Sequence, residues 1–305
     1  FFVMELVRGT KITDYCDQRS LTAADRIHLF TQVCHAIQHA HQKGVIHRDI
    51  KPSNVLVMVH DDVPMPKVID FGIAKAIGER LTDKTIFTRF EQFIGTPSYM
   101  SPEQAGLSGL DVDTRSDTYA LGVLLYELLT GRTPFDPRQL AKASLEEMLR
   151  RIREEDPPKP STRLRALQPA ELTTTAQRRQ TEPLRLISLL RGDLDWIVMK
   201  CLEKNRNRRY ETANALALDL ERYLSHQPVA AAAPTLGYRL AKFIRRHRAG
   251  LAVVSALVAL LVAGVLVSTW QAVRATRAER TQSQLRQLAE KEKQKAQQVA
   301  QLPEL

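Results

Sequence analysis

Residues 47–56 read His47-Arg48-Asp49-Ile50-Lys51-Pro52-Ser53-Asn54-Val55-Leu56, or HRDIKPSNVL. An acid, a lysine two places on and an asparagine three beyond that stand directly before an aliphatic run that reads as a β-strand. These residue types suit phosphoryl transfer. A carboxylate orients a hydroxyl and accepts its proton, an ammonium holds the transferring phosphate, and an amide oxygen binds Mg²⁺. Taken alone, Asp-x-Lys-x-x-Asn is equally the pattern of a solvated turn before a strand.

Two downstream segments change that balance. Asp70-Phe71-Gly72 follows a second short strand, Lys67 to Ile69, and supplies another carboxylate beside a glycine that permits a sharp turn. GTPSYMSPEQ then occupies residues 95–104. With HRDxKxxN, DFG and GTPxYxxPE in this order, the chain resembles the eukaryotic-like serine/threonine protein kinases of bacteria.

The resemblance covers about residues 1–224 and implies an α+β unit, the hinge and the mainly helical C-terminal lobe of the protein-kinase fold. It implies Asp49 as catalytic base, Lys51 steadying the γ-phosphate of ATP, and Asn54 with Asp70 binding Mg²⁺ or Mn²⁺. Met4, Glu5 and Val7 fall at the gatekeeper and hinge, with Leu56 as the floor of the adenine pocket. Lys51 favours Ser/Thr over Tyr as acceptor, and Thr96 shapes the acceptor site. Arg48 marks a loop ordered by phosphorylation, for which Thr85 and Thr88 are the preferred acceptors. His47, Phe71, Gly72, Glu103, Asp117, Gly122 and Arg209 are structural: Glu103 pairs with a buried Arg209, Asp117 accepts backbone hydrogen bonds from the catalytic loop, and Gly122 allows close helix packing.

Around these motifs, the apolar residues Ile27, Phe30, Val33, Cys34, Ile37 and Ala40 recur at helical spacing between Thr22 and Lys43. Phe1 to Leu6 reads as a buried strand, Val55 to Val59 and Lys67 to Ile69 as a hairpin, and Thr118 to Leu129 as an apolar helix. Residues 156–191 are polar and proline-rich at their start, which predicts a long surface excursion whose arginines form a solvated basic face. Amphipathic helices follow at Leu194 to Leu202 and Ala213 to Leu224. His35 and His39, at i and i+4, lack a third metal ligand at suitable spacing.

No charged residue occurs between Arg248 and Arg274, and residues 251–267, LAVVSALVALLVAGVLV, are almost wholly aliphatic. About 20 such residues, at about 1.5 Å each, cross a hydrocarbon core of about 30 Å, so a single transmembrane helix is predicted. The resulting division is a kinase hinge and C-lobe over 1–226, a basic juxtamembrane linker over 227–248, the span over 249–270 and a helical stalk over 271–305, with self-association through the stalk as an option. Basic residues flank both ends of the span, so orientation follows function: the lobe is expected in the cytoplasm, where ATP is, and the stalk outside the cell membrane.

Composition sets outer limits. Apolar residues at 44% and charged residues at 26% suit a folded chain, and the net charge of +10 is dispersed over several segments, so nucleic acid is not expected as a partner. Three cysteines far apart argue against a disulfide framework. No Gly-rich phosphate loop, strand lysine or partner helix glutamate is matched, because Gly9 is the only glycine before residue 44. The expectation is a chain cut at the hinge, inactive by itself, whose whole protein phosphorylates Ser/Thr hydroxyls of proteins. The alternative is a membrane-anchored pseudokinase or adaptor; a small-molecule phosphotransferase is weaker, because GTPSYMSPEQ is not expected in one.

Overall fold

The computed structural model describes residues 6–71, 97–106, 112–232 and 248–300, with 235, 237, 238, 240, 242 and 244. Two compact units divide at Lys242 and Phe243. Met4, Glu5, Gly72, Thr85, Thr88 and Thr96 lie outside the described residues.

The first unit opens with β1 (Thr10–Lys11) and α1 (Ile12–Gln18), then α2 (Ala23–Gln42). Thr22 starts α2 through a capping box: its hydroxyl accepts from the Asp25 amide, and the Asp25 carboxylate accepts from the Thr22 amide. β2 (Val55–His60) and β3 (Val63–Val68) follow, giving an antiparallel sheet in the order β1-β2-β3. Register runs from Val55 opposite Val68 to His60 opposite Val63. Asp61 and Asp62 turn the hairpin with φ of 48° and 61°, the left-handed geometry whose twist matches that of the strands. Pro64 and Pro66 cannot donate to a ladder and stand in the edge strand β3.

α3 (Thr114–Thr130) is the centre of this unit. Fourteen of its seventeen residues are buried, so nearly every side of it meets protein rather than solvent. Asp113 caps its start, and Gly131, at φ 75°, ends it in the left-handed conformation that an L side chain resists. Short helices α4 (Pro137–Lys142) and α5 (Leu145–Glu154) lead outward.

Residues 156–191 correct the sequence reading. They fold as α6 (Pro160–Arg165), α7 (Pro169–Gln177) and α8 (Pro183–Leu190), and bury Leu164, Ala176, Leu186, Ile187 and Leu190 in the main core. Each helix begins on a proline, whose fixed φ and missing N–H suit the first helical position, so the prolines open helices here rather than marking a loop. Nor is Arg179 part of a solvated face. It is buried and donates to the carbonyls of Leu128, Leu129 and Thr175. Arg26, also buried, donates to the carbonyls of Leu128, Cys16, Leu21 and Arg178 and pairs with Asp17 at 2.8 Å. The two guanidiniums satisfy carbonyls that the end of α3 leaves without helical partners. Burial, with Arg26 close by, brings the Arg179 guanidinium down to about 9.

α9 (Asp193–Cys201) and α10 (Ala213–Leu224) complete the lobe. The segment 227–232, read as linker, is held by Asp219, which accepts from the Ala230 and Ala231 amides at 2.6 and 2.9 Å. Leu6, expected in a buried strand, is 76% exposed, and residues 6–9 adopt no regular element.

In the second unit, α11 (Arg248–Ala300) is one helix of 53 residues. Its stretch Val253–Ala272 is long and apolar enough to cross a membrane, and its described side chains, including Leu260, Leu261 and Val265, are exposed.

Candidate active site

Gly44, at φ 75°, lets the chain leave α2 and enter residues 45–54. Asp117, in the first turn of α3, fixes that loop from beneath. Its Oδ2 accepts from the His47 amide and its Oδ1 from the Arg48 amide, both at 2.8 Å. His41, at the end of α2, bonds Asp117 Oδ2 through Nε2 at 2.7 Å. The carboxylate is buried, and these donors, with the N-terminal end of the helix dipole, compensate its desolvation. Held in this way, Arg48 takes φ 64°, a strained conformation for a non-glycine residue. Its carbonyl accepts from Gln104 Nε2 at 2.8 Å, joining the loop to the SPEQ segment.

Above this support, three side chains meet. Lys51 Nζ lies 2.8 Å from Asp49 Oδ2. Asn54 Nδ2 donates to the Asp49 carbonyl at 2.9 Å and to Oδ2 at 3.2 Å. Asn54 is buried, whereas Asp49 and Lys51 are partly open to solvent. The Ile69 amide donates to the Asn54 carbonyl at 2.9 Å, so the end of β3 carries Asp70 to the same place. Asp70 is exposed and has φ 57°.

His47 links the two segments. Its Nδ1 accepts from the Asp49 amide at 3.3 Å, which requires that Nε2 carry the proton toward the Ile69 carbonyl at 3.0 Å. Burial lowers its pKa, which keeps the ring neutral and able to accept at Nδ1. Phe71 packs against it at a 45° tilt, 4.8 Å between ring centroids.

Glu103 and Arg209 form a two-point ion pair at 2.7 and 2.8 Å, with Ser116 Oγ donating to Glu103 at 2.5 Å. Burial pushes the Glu103 carboxyl up, but the bonds from Arg209 and Ser116 outweigh it and hold the group below its ordinary range. Arg209 also donates to the carbonyls of Glu203, Lys204 and Arg115, and lies over the Tyr119 ring at 5.1 Å. A side chain at Gly122 would collide with the Cys201 Cβ, so α3 and α9 approach at that point only because a hydrogen stands there.

The expected pocket floor, Leu56, is half-buried in β2 opposite Lys11, and Val7 is half-buried. Gly9 belongs to the same place: a Cβ there would stand 2.9 Å from the Val57 carbonyl oxygen. Sequence reasoning missed His41, whose bond to Asp117 joins residues 76 positions apart and leaves no local pattern. It also missed Glu127, which accepts from the Tyr99 hydroxyl and whose carboxyl burial raises. A lone acid in an apolar helix is the signal that was available.

A family model described as a protein kinase domain matches residues 1–220. The chain is similar to the serine/threonine-protein kinase PknB of Mycobacterium leprae, 36% identical over 229 residues, covering 75% of this chain and 31% of that protein. PknB of Mycolicibacterium smegmatis is 36% identical over 235 residues, covering 77% and 32%. The chain therefore spans about a third of the length of these relatives. Among solved structures, the PknI kinase domain of Mycobacterium tuberculosis aligns at 23% identity and a TM-score of 0.45, over 72% of this chain and 64% of that one.

Proposed function

Because the chain belongs to the protein kinase family, in its bacterial serine/threonine group, we propose that it carries the catalytic loop of a membrane-anchored kinase that transfers the γ-phosphate of ATP to Ser/Thr hydroxyls of proteins. The observation that supports this most is the convergence of Lys51 and Asn54 on one oxygen of Asp49. A carboxylate held this way keeps a fixed direction and stays partly open to an incoming hydroxyl. In the proposed reaction Asp49 orients the acceptor hydroxyl and takes its proton as the new oxygen–phosphorus bond forms and the bond from the γ-phosphorus to the β,γ-bridging oxygen breaks, with ADP as the leaving group. Lys51 Nζ, beside it, balances charge on the transferring phosphoryl group.

The donor set fits Mg²⁺. Asn54 turns its amide hydrogens to Asp49, while its oxygen accepts from Ser53 Oγ at 3.2 Å and has a second lone pair to offer a metal, and the exposed Asp70 adds a carboxylate. Two hard oxygen donors are what Mg²⁺ would take from the protein, with phosphate oxygens and water supplying the rest. When bound, the metal would neutralise charge on the phosphates. Val7 and Leu56, with Met4 and Glu5, are proposed to take the adenine edge, Thr96 to shape the acceptor site, and Thr85 or Thr88 to be the phosphorylated residue that Arg48 reads. His47, Phe71, Gly72, Glu103, Asp117, Gly122 and Arg209 are proposed to hold the framework.

Val253–Ala272 is proposed to cross the cell membrane once, with the lobe on the ATP side and residues 271–305 outside. Protease added to intact cells should then cut beyond Trp270 and spare the lobe, and the reverse pattern would overturn the orientation. For catalysis, the native protein with labelled ATP and a protein acceptor should yield phosphoserine or phosphothreonine. Labelling confined to small-molecule acceptors would overturn the reading. The 305 residues alone contain no Gly-rich loop and should transfer little phosphate.

A further inference from the structure

Composition makes residues 227–248 a linker, yet their first part is fastened to the lobe. Tyr238 Oη donates to Asp193 Oδ1 at 2.9 Å and accepts from the Val229 amide at 3.1 Å. The Tyr238 ring meets Trp196 edge-on, 5.6 Å between centroids. Lys242 Nζ pairs with the other oxygen of Asp193, and Lys242 is only 9% exposed. Rotamer-rich lysines are seldom buried without a specific partner, and here both oxygens of one carboxylate are used by a segment more than forty residues away.

We propose that Tyr238 and Lys242 form a strap whose receptor is Asp193, and that this strap shortens the tether between lobe and bilayer so that the acceptors are Ser/Thr hydroxyls close to the membrane. The proposal rests on the kinase reading and on the span at Val253–Ala272. With the strap closed, residues 243–252 alone join Lys242 to the apolar stretch; the last five belong to α11, so five extended residues and five helical ones reach at most about 25 Å. With Asp193 released, the last described contacts that hold the segment are those of the Ala230 and Ala231 amides with Asp219 and of the Ala232 amide with the Val229 carbonyl, and the reach grows to about 60 Å. Acceptors on soluble proteins are reached equally in both states. Acceptors held near the leaflet are favoured only in the closed one.

The first test needs neither catalysis nor a bilayer. In detergent, tryptic cleavage after Lys242, followed by mass spectrometry, should be slow in the native chain and on the order of tenfold faster in Asp193→Ala. Tyr238→Ala, which alters the strap and leaves the lobe core alone, should give the same acceleration even where Asp193→Ala fails to fold. Unchanged rates in Tyr238→Ala would overturn the strap. The second test reconstitutes the chain in vesicles and measures energy transfer from a donor at an Asp62→Cys site to acceptor lipids. Transfer should fall in Tyr238→Ala, and equal transfer would overturn the tether function. A chain that fails to enter vesicles while its Lys242 stays protected in detergent would instead overturn the membrane reading, and with it the tether.

Discussion

Replacing Arg209 with Met should destabilise the lobe by about 3–5 kcal/mol, the cost of stranding one member of a buried ion pair. The Arg209 side chain is 0% exposed and that of Glu103 11%, so water cannot replace the lost partner. The substitution removes both bonds to Glu103 and those to the carbonyls of Glu203, Lys204 and Arg115, leaving Glu103 with Ser116. For a unit of this size the midpoint of thermal unfolding should fall by about 6–20 °C, measured by circular dichroism on the chain in detergent. Met fills most of the space, so the loss reports the stranded charge more than a cavity. Adding Glu103→Gln should therefore recover part of the loss, by about 1–2 kcal/mol, because no buried charge then lacks its partner. An Arg209→Met cost under about 1 kcal/mol, or a double variant less stable than Arg209→Met, would refute this reasoning.

The same pair sets a pH dependence. Glu103 lies below its ordinary value of 4.5 in the folded state, so its contribution is fully present above about 4.5 and is lost as pH falls through the folded value; Glu103→Gln should flatten the acid limb of the stability profile. Gly122→Ala should cost about 1–3 kcal/mol by forcing α3 from α9, and a neutral result in urea unfolding would mean the helices part freely. Asn54→Ala should raise the Mg²⁺ concentration needed for half-maximal transfer by the native protein, while an unchanged requirement would remove Asn54 from the metal site.

Which features the sequence made legible follows from their range. α2 and α10 stood out because an apolar face repeats over several turns, and the hairpin because two aspartates divide two strands. The site residues stood out because a single loop carries Asp49, Lys51 and Asn54 within six positions. What escaped is long-range. Arg26 and Arg179 find the end of α3 from opposite sides in sequence, and a basic residue in a polar stretch looks the same whether it faces water or three carbonyls. α6 to α8 are each fewer than ten residues, too short for periodicity to outweigh the prolines that begin them. Asp193 is likewise silent until Tyr238 and Lys242 reach it.

The most direct measurement is transfer of labelled γ-phosphate by the native protein and its Asp49→Asn variant to a Ser/Thr protein acceptor, with Mg²⁺-dependent nucleotide binding followed in parallel. Asparagine keeps the shape of Asp49 and its contact with Lys51 weakens, but it cannot accept the hydroxyl proton. The account predicts a fall of about 10²–10⁴-fold in transfer with nucleotide binding largely kept. Transfer within a few-fold of the native protein would contradict it.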